Sequence, residues 1–141
     1  MNGLRSCWFL ADTKIEDIQV ARAQDGKLGT EKFIYLTTTG RKTGKPHRVE
    51  LWFAAAGGII YLSHEGRETD WMRNIKNNPE VNFEISGNKF VGKARYLQCD
   101  ESEATKAKLA LYLKYYGKAE ERIIEDWFSL STLILIKPNF L

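Results

Sequence analysis

Between Thr39 and Arg48 the chain reads Thr-Gly-Arg-Lys-Thr-Gly-Lys-Pro-His-Arg, a run with four permanent cations, one histidine and no acid. Residues of these types at this spacing suit an anion. Gly40 and Gly44 permit positive φ and close approach, so that backbone N–H groups can converge on one concavity. Arg41 adds a forked, two-bond grip on phosphate or carboxylate, while Lys42 and Lys45 act as mobile point charges. Thr43 offers a hydroxyl and His47 a ring N–H to the same oxygens. A solvated hairpin tip guarded by lysines uses the same residue types, and the residues alone leave both readings open. The spacing excludes a Walker loop and a dinucleotide fingerprint. Cys7 and Cys99, with His47 and His64, fit no zinc template, so no metal site is expected. No Ser-His-Asp or Cys-His arrangement can be placed either. Redox chemistry in this chain would therefore need a borrowed group.

The elements that must position this segment are mostly strands. Lys32 to Thr38 is rich in β-branched and aromatic residues and leads straight into Gly40. Arg48 to Ala55 reads as a second strand, Gly57-Gly58 as a hairpin turn, and Ile59 to Ser63 as a third strand antiparallel to the second. Asp70 is placed to N-cap a short helix from Trp71 to Asn77, which Asn78-Pro79 ends. Val81 to Ile85 alternates, Ser86-Gly87-Asn88 turns the chain, and Lys89 to Leu97 completes another hairpin. Asp100 and Glu103 resemble a capping box for a helix reaching Tyr116, with Gly117 placed to end it. A further helix from about Lys118 puts Ile123, Ile124, Trp127 and Phe128 on one face, and Thr132 to Ile136 is a last strand closed by Pro138. Residues 4 to 23 suggest a short helix or two, followed by a turn at 25 to 29. The sum is a mainly β, α+β chain: six antiparallel strands forming a barrel decorated by helices.

With 141 residues and 43% hydrophobic content the chain fits a single domain over residues 1–141. No signal peptide and no apolar run of about 18 residues is apparent, which points to the cytoplasm and to no integral membrane segment. The net charge of +3 is mild. A nucleic-acid-binding barrel would spread cations along a groove, and here Glu65, Glu68, Asp70 and Glu84 interrupt any such stripe.

Leu36-Thr37-Thr38-Thr39-Gly40-Arg41-Lys42-Thr43-Gly44-Lys45-Pro46, then Leu51-Trp52, then Asp70-Trp71 with Asn74 and Asn78-Pro79-Glu80-Val81, resembles the deazaflavin (F420)-dependent nitroreductase family. The resemblance implies a split β-barrel of the FMN-binding, pyridoxamine-phosphate-oxidase type. It implies coenzyme F420 as cofactor and hydride transfer to a small acceptor such as a quinone or nitro compound. Carried over by matching positions, Arg41, Lys42 and Thr43 would hold the cofactor's phosphate and acidic tail. His47, Arg48, Val49, Glu50, Leu51 and Trp52 would run beside the ring, and Ser63, His64, Asp70, Trp71 and Asn74 would also touch cofactor. Glu50 stands where the family often has proline and His64 where lysine is common. On the late helix, Tyr115 and Tyr116 can donate a proton or hydrogen bond to a developing anion. As a plainer alternative these tyrosines roof the barrel. Further alternatives are FMN in place of F420, or a barrel that binds cofactor without catalysis. Split barrels often place cofactor at a dimer interface, which admits a homodimer.

Overall fold

The computed structural model describes residues 31–98, 100–116 and 131–139. The elements run β1 (Phe33–Thr39), β2 (Pro46–Trp52), β3 (Ala54–Ala56), β4 (Ile59–Glu65), α1 (Asp70–Asn77), β5 (Glu80–Ile85), β6 (Asn88–Tyr96), α2 (Ser102–Tyr116) and β7 (Ser131–Pro138). The expectations over residues 4–29, Gly117 and the helix from Lys118 lie outside the described residues.

Local chemistry accounts for most of these elements. β1 buries Ile34, Leu36 and Thr38, and β5 buries Val81, Phe83 and Ile85, the period of two that a strand with one buried face must have. Two tight hairpins use residues that accept positive φ: Gly57 and Gly58 between β3 and β4, and Ser86 and Gly87 between β5 and β6. In β7 the four residues Leu133 to Ile136 are all buried because both faces are covered. Ile134 and Ile136 join the interior core with α1 residues Trp71, Met72 and Ile75, while Leu133 and Leu135 pack under α2.

The architecture differs from a closed six-stranded barrel. Seven strands form one antiparallel sheet in the order β2-β1-β5-β6-β7-β4-β3, which is open because β2 and β3 do not pair. The single strand expected over Arg48 to Ala55 is two. β2 pairs with β1 and β3 pairs with β4, at opposite edges of the sheet, with Phe53 alone between them. In a flat sheet those edges would lie about 29 Å apart, given a spacing of about 4.8 Å between strands. One intervening residue allows at most about 7.6 Å between Trp52 and Ala54. The sheet is therefore curled until its edges meet at a seam, and Phe53, fully buried, plugs that seam from inside.

Two cap assignments also change. Helix α1 begins at Asp70 itself, with Thr69 as the preceding cap residue and no side-chain capping bond. The Asp70 carboxylate is drawn instead to cationic side chains. Helix α2 begins at Ser102, so Asp100 is not its cap; Glu103 takes a hydrogen bond from Tyr61 and pairs with Lys106. No helix among the described residues is long and apolar enough to cross a membrane.

Candidate functional site

The cationic segment between β1 and β2 is a closed turn. Gly40 N–H donates to the Lys45 carbonyl and Gly44 N–H to the Gly40 carbonyl, both at 2.8 Å, and Lys45 N–H donates to the Thr43 hydroxyl oxygen at 3.2 Å. Glycine is required at both ends for different reasons. A Cβ on Gly40 would lie 3.0 Å from the Lys45 carbonyl oxygen, and Gly44 has φ of 74°.

Three segments far apart in sequence meet at this turn. Arg41 donates from Nη2 to Asp70 Oδ1 at 3.2 Å, and Asn74 Oδ1 accepts from both the Arg41 backbone N–H at 3.1 Å and Nη1 at 3.0 Å. Asn74 Nδ2 in turn donates to the Thr38 hydroxyl at 3.1 Å. On the same helix Trp71 meets the His64 ring edge-on, centroids 6.3 Å apart, which ties in the end of β4. Arg41, Asp70, Trp71, Asn74 and His64 are thus one contiguous set. Lys42 and Lys45 are exposed, and neither ammonium group has an acidic partner among the described residues.

Strand β2 runs from this turn to the seam with alternating burial. Val49 and Leu51 pack inward against the interior core, and half-buried His47 shares their face. Arg48 and Glu50 face outward: Arg48 lies 4.7 Å over the Tyr35 ring and pairs with Glu84, and Glu50 accepts from the Tyr35 hydroxyl at 2.9 Å. Arg48 lines an outer groove of about 510 Å³ together with Asn82, Lys89 and Val91. It is therefore not gathered with Arg41. Among the described residues β2 pairs only on its β1 side, and backbone N–H and C=O groups along its other edge have no strand partner there. β4 beyond Tyr61 is likewise unpaired on its β3 side, where Ser63 and His64 lie. The sheet thus has a gap between two open edges, with the α1 residues bound to the turn at one end.

Over residues 14–123 the sequence matches the family described as F420H(2)-dependent quinone reductase. The chain belongs to that family. It is an F420-dependent oxidoreductase. Solved structures share its fold. An F420-H2-dependent reductase, FDR-A, has 25% identity and a TM-score of 0.58, over 74% of this chain and 93% of its own. A protein named F420 reductase has 23% identity and a TM-score of 0.55, over 82% and 95%. A Listeria innocua protein provisionally named a pyridoxamine 5'-phosphate oxidase has 21% identity and a TM-score of 0.56, over 90% and 95%. The curled open sheet is thus the split-barrel arrangement of that oxidase-like fold.

The donor set of this reductase fits the cofactor. An anionic chain is held by several cations, and the turn supplies Arg41, Lys42 and Lys45, of which Arg41 meets the 61% exposed Asp70 carboxylate. A planar ring with polar edges can be met by backbone groups that have no strand partner among the described residues, which β2 supplies.

Tyr115, on the late helix, stands apart from the turn. The Tyr115 ring stacks on Trp52 with centroids 4.5 Å apart. Its hydroxyl accepts from the Phe53 N–H at 3.1 Å and faces the carbonyls of Phe53 and Lys32 at 2.9 and 3.0 Å. Tyr115 is accordingly a clasp on the seam, satisfying backbone groups that the split leaves without a strand partner. The side chain of Tyr116 lies outside the described residues. Lys114 completes the clasp: its Nζ donates to the carbonyls of Phe53 at 2.9 Å and Glu31 at 2.5 Å, and sits 3.6 Å over the Phe53 ring. Sequence reading missed Lys114 and Thr38. The signal for Thr38 was a polar residue on the inward period of Ile34 and Leu36; for Lys114 it was a charge four residues after buried Ala110.

Burial pulls the Lys114 ammonium down from 10.5 to about 8, only partly opposed by the Glu31 carboxylate. Between those two values the unfolded chain holds a proton that the folded one has released. The cost of burying the charge is fully present below pH 8 and is relieved as the pH rises towards 10.5. Wild-type stability, measured by urea unfolding, should rise across that window relative to Lys114→Met. A constant difference between the two proteins from pH 7.5 to 10.5 would refute this.

Proposed function

We propose that this enzyme transfers a hydride from reduced F420 to a small acceptor such as a quinone or nitro compound. The cofactor's phosphate and acidic tail would lie on the turn of Arg41, Lys42, Thr43 and Lys45, and its ring along the open edge of β2. The observation that carries this reading is the Arg41 guanidinium, fixed by Asn74 and Asp70 beside two lysines that have no acidic partner among the described residues. Length supports it as well. β2 has seven residues, about 20 Å from turn to seam at about 3.3 Å per residue, the order of a three-ring heterocycle followed by its sugar-alcohol chain.

When bound, the reduced deazaflavin supplies the hydride from its central ring. The chain's own residues bind and orient. Arg41 and the lysines would hold negative charge and the β2 backbone would meet polar atoms of the ring edge, while Trp52 stands at the seam end, 44% exposed, backed by Tyr115. Because the Tyr115 hydroxyl already serves the seam, Tyr116 is the better candidate to donate a proton to the acceptor.

The test is titration of the purified chain with oxidised F420 and with FMN, followed by anaerobic oxidation of F420H2 in the presence of menadione or a nitroaromatic. We expect F420 to bind, FMN to bind far more weakly, and F420H2 to be consumed only when an acceptor is added. Tight binding of FMN alone, or consumption by neither acceptor class, would overturn the proposal.

A further inference from the structure

We infer that Asn74 is a positioning residue, a buried neutral amide that fixes the Arg41 guanidinium while leaving its positive charge available to the cofactor's phosphate. This rests on the anion-binding reading of the turn. Asn74 is 2% exposed and Thr38 1%, yet the polar atoms between them are all used. Oδ1 takes two bonds from Arg41, one from its backbone and one from its side chain, and Nδ2 donates to Thr38. These bonds fix the amide's orientation, since a flipped amide would aim its NH2 group at two donors. They also tie the turn to β1 through Thr38 and to α1 through Asn74, so Arg41 cannot swing without breaking a buried network.

A guanidinium carries five N–H donors. Asn74 Oδ1 takes one from Nη1 and Asp70 one from Nη2, which leaves the others for a ligand. A buried carboxylate at position 74 could accept the same bonds, but it would pair with the Arg41 charge at close range in a poorly screened setting and weaken its pull on an anion. The carboxylate that Arg41 does meet belongs to exposed Asp70, which is screened by water and shared with Arg73 at 3.6 Å. A neutral acceptor in the buried position and a charged one only in the exposed position is what an anion-binding arginine requires.

The test combines the Kd for oxidised F420 with the Arg41 backbone amide resonance of the ligand-free protein. Asn74→Leu should weaken binding about tenfold and Thr38→Val about threefold, both with a shifted and broadened Arg41 resonance, since a pre-organised group loses affinity when it must be ordered on binding. Asn74→Asp should leave that resonance close to wild type and still weaken binding about tenfold. In an Arg41→Ala background, Asn74→Leu and Thr38→Val should each change Kd less than about twofold, because residues acting through one partner are not additive. Equal losses in both backgrounds, or wild-type affinity in Asn74→Asp, would overturn the inference. Thr38→Val decides the matter if Asn74→Leu does not fold. Unchanged affinity in Arg41→Ala itself would instead bring down the anion-site reading beneath it.

Discussion

Arg41→Ala is expected to lower the affinity for F420 by about tenfold or more, because a charge-assisted hydrogen bond is worth roughly 1.5–3 kcal/mol and about 1.4 kcal/mol is a factor of ten. The effect should exceed that of Lys42→Ala. Arg41 is 24% exposed and anchored at two points, so little ordering remains to be done when the anion arrives. Lys42 is exposed and free, and must be ordered as it binds. Fluorescence titration of the two variants at one salt concentration settles it: equal and small losses would mean that the turn is a solvated tip. Folding should be little affected, since the Arg41–Asp70 pair is largely in water and the buried Asn74 Oδ1 still accepts the backbone N–H of residue 41 when the side-chain bond is lost. A matched unfolding midpoint for wild type and variant would separate lost binding from lost structure.

Phe53→Ala should cost about 3–5 kcal/mol of stability, a large share of the roughly 5–15 kcal/mol that holds such a domain together. Its side chain is fully buried at the one position where the sheet's edges are joined, and no neighbouring strand can close over the cavity. The loss also strips the aromatic face from beneath the Lys114 ammonium, which then keeps its desolvation penalty with less compensation. Adjacent Trp52 is larger but 44% exposed, and Trp52→Ala should cost about 1 kcal/mol, mostly from the stack with Tyr115. Urea unfolding of both variants decides between them. Should Phe53→Ala cost no more than Trp52→Ala, the seam is not a point on which the fold depends.

The two residues also mark a boundary in what could be read from the sequence. Much of what has a local cause was legible: the inward period of β1 and β5, the glycines of the two hairpins, the stop at Asn78-Pro79, and the clustering of cations between Gly40 and Lys45. Each depends on residues within a few positions of one another, where sterics, φ preferences and alternation act directly. The stretch from Arg48 to Ala55 looked like one strand for the same reason, since nothing in its own composition says that its halves pair with strands at opposite edges of the sheet.

What a side chain is bonded to was not legible. Asp70 is well suited to cap a helix, but it stands in the first turn of α1 with Thr69 at the cap position, and its carboxylate meets Arg41, twenty-nine positions earlier. Tyr115 could be read as a proton donor or as part of the barrel's roof, and nothing local shows that its hydroxyl bonds to the backbone of Phe53, sixty-two positions away. The sequence by itself determined most of the strands, their turns and the cationic bend, while the family and its cofactor came from the resemblance carried by its motifs. Only the tertiary structure decided which edge each strand joins, that the sheet stays open at Phe53, and that Arg41 rather than Arg48 stands with α1. Those outcomes depend on contacts between residues tens of positions apart, whose free energies are set by burial and geometry that no local pattern encodes.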